Sequence, residues 1–469
     1  MHADEEEFCG SDEMGMGVDA LKLIFEIILF LIPLVVGAKY GPMALIGTAG
    51  LSVFIMVEVL RLQPAAPPFG AIFIVLAVIC ASAAMAAAGG MEFLIRLAGA
   101  AMARHPRQIP VIGPLFVWLF TVLSGTGNIT FALIPIMYEV SYSAKIRPER
   151  ILATANAVCQ LALMASPVAA VTVTFLALTE KADNSLGKML LITIPASLIA
   201  TVVTSLFMAR WGKNLDDDPE YQRRLAAGEV EPPTPVSSGR TDQLPLPARA
   251  ALSAYIFFGG VVVIVVLGFF SGLRPSFPTT TAAGVTGSTT VSMSYIIPMV
   301  MFAVAGIIMI VCRLKTAKVM DEPIIGTGLI AALLLLAVPV LAGTVIDAHI
   351  EWVQSFVSSA LGVTVLLFAL ILFFLSALIQ SQVAAVNVLI PVALSAGLAT
   401  GPMTGMLGAA SGNNLLASIG GLGQSCILTD KTGSTKQGSF LLNGSFFLPM
   451  LLSAVIAVAA GLVLQAFVY

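Results

Sequence analysis

Two short polar runs interrupt long apolar segments of this sequence. The first is Ser124-Gly125-Thr126-Gly127-Asn128 and the second is Gln380-Ser381-Gln382. Neither carries a charge. Their hydroxyls and amides are neutral donors and acceptors, and the glycines at 125 and 127 let backbone approach a ligand closely. If each run joins two helices, helix ends lie beside it. A helix N-terminus carries partial positive charge and attracts anions, whereas a C-terminus offers carbonyls that suit a cation. Two further apolar segments contain similar breaks. Ser166-Pro167 falls within 151–178; Ser411-Gly412-Asn413-Asn414 and Gly420-Gly421 fall within 403–428. Thr154 and Asn156 could add to them. The chemistry on offer is the holding of a small anion by neutral dipoles, which avoids burying a bare Lys or Arg in lipid. The candidate binding residues are therefore Ser124, Gly125, Thr126, Gly127, Asn128, Ser166, Ser381, Gln382, Asn413 and Asn414. Residues of these types also occur at ordinary contacts between membrane helices.

Other chemistries find no support. There are no paired acids at plausible depth, no His-Glu-x-x-His and no Ser/His/Asp set, so no enzyme is expected. His2, His105 and His349 are far apart and lack metal-ligand spacing, so neither metal nor cofactor is expected. Cys80, Cys159, Cys312 and Cys426 sit in or beside apolar runs and read as small hydrophobes rather than a disulfide set. The net charge of -3 argues against a nucleic-acid partner. Glu26 and Glu58 lie inside apolar runs, and intramembrane acids are functional candidates by default. They fall away from the polar runs, so we assign them an interfacial or inter-subunit role. Glu139 ends the first interrupted segment. Arg147 and Arg150 either anchor the topology or help draw in dianions. Trp118, Trp211 and Trp352 read as interfacial or packing residues.

The elements that must position these groups follow from composition. Of 469 residues, 58% are hydrophobic and 10% charged, and mean hydropathy is +0.98. Soluble domains carry about 25% charged residues, so a water-soluble fold and a disordered chain are both excluded. A spanning helix needs about 20 apolar residues. Ten segments qualify: 20–38, 42–60, 69–89, 151–178, 189–209, 250–271, 292–312, 324–346, 403–428 and 443–467. The acidic tail 1–19 lacks the basic residues of a signal peptide.

Two interrupted stretches remain, 109–143 and 359–397. If residue 1 lies outside, alternation through the ten spans puts every Lys/Arg cluster in the cytoplasm. Both termini then lie on the periplasmic side. This requires 109–143, whose flanks Arg107 and Lys145 are both basic, to enter and leave on one side. Its arms of about 15 residues would reach roughly 22 Å, short of the ~30 Å hydrocarbon core. We therefore expect a re-entrant hairpin from the cytoplasm at 109–143 and another from outside at 359–397. Residues 20–209 and 250–469 then form an inverted repeat. Each half holds five spans and one hairpin, and the cytoplasmic connector 210–249 joins them. Leu133-Ile134-Pro135 and Leu389-Ile390-Pro391 occupy matching places after the two tips. The expected fold is an all-α polytopic membrane protein with ten spans and two hairpins, and the loop 272–291 is expected to be irregular. Inverted repeats with broken helices characterise secondary transporters and favour alternating access over a channel or sensor.

Several segments carry a family resemblance. They are Gly125-Thr126-Gly127-Asn128, Arg147-Pro148-Glu149-Arg150, Ala165-Ser166-Pro167, and Asp217-Asp218-Pro219 with Tyr221 and Arg223-Arg224-Leu225. To these add Ser381-Gln382 with Pro391, Thr432-Gly433-Ser434-Thr435, and Asn443 with Phe447 and Pro449. From about residue 20 to 469 the chain resembles the anaerobic C4-dicarboxylate transporter (Dcu) family, within the ion-transporter superfamily. The resemblance implies a bacterial inner-membrane carrier of fumarate, succinate, malate and aspartate. It would work by exchange or by symport with sodium or protons, through elevator-like movement, as a homodimer in membrane lipid. Some members also partner a sensor kinase. Where the family usually reads Pro-Thr-Tyr-Pro, this chain has Ser418-Ile419-Gly420-Gly421. That change bears on substrate choice rather than on the carrier mechanism.

Overall fold

In a computed structural model of the chain, the described residues are 22–33, 35–37, 39–40, 42–67, 69–179, 182, 184–233, 246–280, 286–349, 366–379, 381–414, 421–436 and 444–469. The tail 1–19, Trp352, Gln380 and Ser418-Ile419-Gly420 lie outside them. The regular elements among the described residues are helices apart from one antiparallel pair of strands.

Six described helices are long and apolar enough to cross a membrane: Pro106–Ser124, Leu186–Met208, Ala250–Phe269, Met293–Cys312, Pro323–Val345 and Phe447–Val468. A seventh candidate is a bent pair, Ile72–Ala87 with Gly90–Arg104, turned by 69°. In chain order the elements begin with α1 (22–33), α2 (Pro42–Glu58), α3 (Phe69–Ala87), α4 (Gly90–Arg104), α5 (Ile109–Ser124), α6 (Ile129–Ser143) and α7 (Pro148–Leu163). They continue with α8 (Ala170–Thr179), α9 (Leu186–Met208), α10 (Pro219–Ala226), α11 (Ala250–Phe269), α12 (Met293–Cys312), α13 (Thr316–Met320) and α14 (Pro323–Ala348). Then come α15 (Leu366–Ile379), α16 (Gln382–Ser395), α17 (Thr400–Met406), a 3-10 stretch Leu407–Asn414, α18 (Gly421–Thr429) and α19 (Phe447–Val468).

Both polar runs fall between packed helices, α5/α6 and α15/α16, and both broken segments are broken. The 151–178 segment splits into α7 and α8; the 403–428 segment splits into α17, the 3-10 stretch and α18. The first arm differs from expectation in length. A 3-10 turn, Pro106–Gln108, extends α5 to a 19-residue segment that meets the spanning test, so length alone does not keep this arm from crossing.

Helix α7 is the packing centre. Every residue from Ile151 to Ala162 is buried. Leu152, Val158 and Cys159 belong to a core built with α3–α6, α11 and α12; Ala157, Leu161 and Met164 belong to a second core with α15–α17 and α19. Contacts of α3 with α12 and of α9 with α19 interleave the two halves of the chain. A smaller core joins α1, α2 and α14. There Glu26, fully buried, pairs with His349 at the end of α14. Its partner is thus within the chain, where the sequence pointed to an interface. Glu58 is exposed beside Arg61, at 3.7 Å. Trp118 is a packing residue whose indole N–H donates to the Ser197 hydroxyl at 3.0 Å.

Three regions depart from the sequence expectation. Residues 90–104, left between spans, form the amphipathic helix α4, which buries Leu94, Ala98 and Met102. Its bend is built on Gly89, whose φ of +87° is left-handed and whose missing Cβ would lie 2.8 Å from the Pro247 ring. The 272–291 loop is not irregular: β1 (Ser276–Thr280) pairs antiparallel with β2 (Thr286–Thr290). The connector is not merely solvated either. Asp218 caps α10 by accepting from the Glu220 N–H at 3.0 Å and also pairs with Arg147 at 3.2 Å. Arg223 and Arg224 donate to Glu220 and hold its carboxyl down to about 2. Tyr221 is buried edge-on to Tyr142.

Arg147 also pairs with Glu149 at 2.8 Å. Arg150 donates to the carbonyls of Ala209, Trp211, Gly212 and Lys213 at the end of α9. Both arginines are therefore engaged in holding the connector. Removing one partner from a buried ion pair costs ~3 kcal/mol or more. Arg147→Met should lower thermal stability in detergent by that order, while Arg104→Met on exposed α4 should leave it unchanged. Equal melting temperatures for parent and Arg147→Met would contradict the clamp.

Candidate functional site

The first tip is shaped by local rules. Gly125 ends α5 in the left-handed region at φ +69°, and its N–H bonds the Thr121 carbonyl at 2.9 Å. A Cβ there would meet Val168 at 2.8 Å. The Ser124 hydroxyl donates to the Thr126 carbonyl at 3.2 Å, and the Thr126 hydroxyl accepts from the Asn128 N–H at 3.3 Å. Accepting leaves the Thr126 hydroxyl proton available to a ligand. Gly127 is required by close approach: a Cβ would sit 2.7 Å from Cys159 Sγ, and that thiol lies 3.5 Å from the Gly127 carbonyl. Residues 125–128 are half-buried.

This tip borders a cavity of about 180 Å³, well above the ~10–15 Å³ one water needs. Its walls come from α3 (Val75, Val78, Ile79, Ser82), the tip (Ser124, Gly125, Thr126, Asn128), the start of α8 (Val168, Ala170) and α14 (Ile324, Gly328). The polar lining is Ser82, Ser124, Thr126 and Asn128, with no charged side chain.

The second tip holds an amide cluster. The Gln382 side-chain N–H₂ lies 2.8 Å from the Gln160 carbonyl, 3.3 Å from Gln160 Oε1 and 3.2 Å from Asn413 Oδ1. The Asn413 amide donates in turn to Gln160 Oε1 at 2.9 Å. The cluster ties α16, the last turn of α7 and the 3-10 stretch. Gln382 Oε1 is buried without a partner, as is Asn387 Oδ1 one turn on. Ser381 caps α16, its hydroxyl accepting from the Ala384 N–H at 3.2 Å.

The two tips are neighbours through α8. Ala170, on the cavity wall, packs in one cluster with Val383, next to Gln382. Two helix starts line the cavity, α6 at Asn128 and α8 at Ala170, and α16 begins nearby. Both bring the positive ends of their dipoles to it, beside the C-terminal end of α5. The arrangement suits an anion held without a buried Lys or Arg.

Of the predicted residues, Ser124, Gly125, Thr126 and Asn128 line the cavity, Gly127 seats the tip, and Ser381, Gln382 and Asn413 form the second cluster. Ser166 and Ser411 serve the backbone instead. The Ser166 hydroxyl accepts from the Val168 N–H at 3.4 Å, and Ser411 donates to the Gly408 carbonyl at 2.9 Å. Thr154 likewise bonds its own helix at the Arg150 carbonyl. Asn414 lies in the 3-10 stretch. The sequence reading missed Gln160 and Ser82. Gln160 had a signal, a lone amide inside an apolar run; Ser82, among alanines, had none.

Comparison with known proteins adds the family. A family model described as anaerobic C4-dicarboxylate membrane transporter matches residues 22–469. The C4-dicarboxylate transporter DcuA of Escherichia coli (strain K12) is 30% identical over 446 residues, covering 95% of this chain and 99% of that protein. DcuA of Helicobacter pylori is 31% identical, with 94% and 98% covered. The anaerobic C4-dicarboxylate transporter DcuB of Escherichia coli O6:H1 is 29% identical, again with 94% and 98% covered. Among solved structures, Neisseria gonorrhoeae MtrF, described within a class of antimetabolite efflux pumps, aligns with a TM-score of 0.55 at 15% identity. It covers 95% of this chain and 94% of that one and indicates a shared fold.

Overpacking a tight site costs ~1–3 kcal/mol. Gly127→Ala should therefore lower thermal stability in detergent by that order, and adding Cys159→Ala, which removes the clashing sulfur, should restore most of it. Simple additivity of the two changes would contradict the close approach.

Proposed function

The chain belongs to the anaerobic C4-dicarboxylate membrane transporter family, and from that premise we propose that its dicarboxylate binds between the two tips. It is a transporter, not an enzyme. One carboxylate lies in the cavity beside Thr126 and Asn128, at the starts of α6 and α8. The other reaches toward the second tip at Ser381, which the Gln382 amide holds in place through Gln160 and Asn413. The observation that carries this reading is the neutral cavity lined by the first tip and the starts of α6 and α8. Dipoles and hydroxyls offset the dianion's lost hydration without a fixed positive charge, so the empty carrier buries no bare cation.

The finer architecture is part of the proposal. Five spans and one re-entrant hairpin per half, inverted between 20–209 and 250–469, put the tips at mid-depth from opposite faces. The split helices and the short apolar helices at Ile129–Ser143 and Gln382–Ser395 support it. Both termini then lie on the periplasmic side of a bacterial inner membrane. The tips and their helices move against a scaffold containing α1, α2 and α14, in a homodimer. Exchange of fumarate for succinate moves no net charge; coupling to sodium or protons is compatible with the same residues. A sensor kinase partner rests on the family resemblance alone. Ser418-Ile419-Gly420-Gly421 bears on which dicarboxylate is preferred.

Labelled fumarate uptake into proteoliposomes tests this. Preloaded succinate should stimulate uptake, and lactate should not. Hydrogen bonds to a charged group contribute ~1.5–3 kcal/mol, so Asn128→Ala should lower affinity roughly 10- to 100-fold, and Gln382→Ala should lower it too by releasing the second tip from Gln160 and Asn413. Parent-like uptake by both variants would overturn the site, and absence of trans-stimulation would overturn exchange.

A further inference from the structure

A second cavity, of about 430 Å³, opens where α11 begins and α12 ends. It lies against Ala87 and Ala88 at the bend between α3 and α4. Four cations line it, Arg249, Arg313, Lys315 and Lys318, and no acid does. The backbone fixes two of them. Arg313 terminates α12 in the left-handed region at φ +52°, its N–H directed to the carbonyls of Ile310 and Met309. Arg249 donates to the Val311 carbonyl, and its own carbonyl accepts from Cys312 Sγ at 3.9 Å. The acids Asp321 and Glu322 follow α13, and Lys318 acts electrostatically on Glu322. The dicarboxylate site uses none of these residues.

Position identifies the ligand class. Helices α11 and α12 both meet the spanning test, so their shared end lies at the polar boundary of the bilayer. The amphipathic α4 leaves the same bend at 69°. Beside the cationic mouth, α11 exposes Leu252 and Tyr255, and α12 exposes Ile307 and Ile310, the last at 79%. A free phosphate would use the cations but not this apolar ridge; a lipid uses both. We propose that this cavity binds the phosphate headgroup of an anionic phospholipid, with its acyl chains along Leu252, Tyr255, Ile307 and Ile310. Basic pockets between membrane helices are suited to such headgroups.

The test uses full-length protein in detergent, titrated with a fluorescent short-chain phosphatidylglycerol. Phosphatidylcholine of equal chain length is the neutral probe and inorganic phosphate the competitor. Arg249 stays intact because it holds the end of α12. Each cation near the surface contributes on the order of fivefold, so R313Q/K315Q/K318Q should weaken phosphatidylglycerol binding about a hundredfold. Lys315→Arg/Lys318→Arg should retain it, and Lys145→Gln/Lys213→Gln should leave it unchanged. If the triple variant loses its gel-filtration peak, Lys315→Gln alone reads out about fivefold. Parent-like binding by the charge-removed variants, equal binding of phosphatidylcholine, or displacement of the lipid by phosphate at matched concentration would each overturn the proposal.

Discussion

A helix broken inside hydrocarbon exposes backbone N–H and C=O groups that lipid cannot satisfy, at several kcal/mol for each one left bare. Among the described residues, helices break after α5, after α7, after α15 and around the 3-10 stretch, besides the bend at Gly89. Each break is tolerated where protein supplies the partner. Gly125 turns the end of α5 back on the Thr121 carbonyl. Ser166 answers the Val168 N–H, and Gln382 answers the Gln160 carbonyl across more than two hundred residues of chain. The remaining dipoles, all neutral, form the surface at which we propose that the dicarboxylate binds.

Positioning that region falls to α7. It is buried on all sides, belongs to both large cores and ends in Gln160 one turn before its break. Its other end is held outside the apolar region. There Arg147 joins Asp218 of the connector, while Glu149 accepts from Ser445 of the second half at 2.5 Å. Asp430 gathers Thr432, Ser434 and Thr435 into the adjoining loop, and the Glu149 N–H donates to the Ser434 hydroxyl at 3.2 Å. The connector, through Asp218, and the second half, through Ser434 and Ser445, therefore together fix the start of α7.

Much of the candidate site is legible because polar residues inside apolar runs are conspicuous. Ser124 to Asn128, Ser381 with Gln382, and Asn413 were found that way. Their partnerships were not legible, since spacing does not say that Gln160 faces Gln382 or that Glu26 faces His349. The fold was legible where a span is one uninterrupted apolar run, as in α9, α11, α12 and α19. Helix α4 was missed because Glu92, Arg96 and Arg104 on a short amphipathic segment read as loop. The β-hairpin was missed because Thr- and Gly-rich strands without apolar alternation lack the period-two signal. Arg147 and Arg150 were visible as charges, but their roles depend on carboxylates and carbonyls brought near only by folding.

Substrate protection of Ala170→Cys, in protein whose other cysteines are replaced, tests the central claim most directly. Ala170 lies on the wall shared by the cavity and α16 and is partly exposed. With exchange activity retained, saturating succinate should slow its alkylation at least tenfold, and lactate should not. Equal alkylation rates with and without succinate would mean that the dicarboxylate does not bind where the helix starts converge.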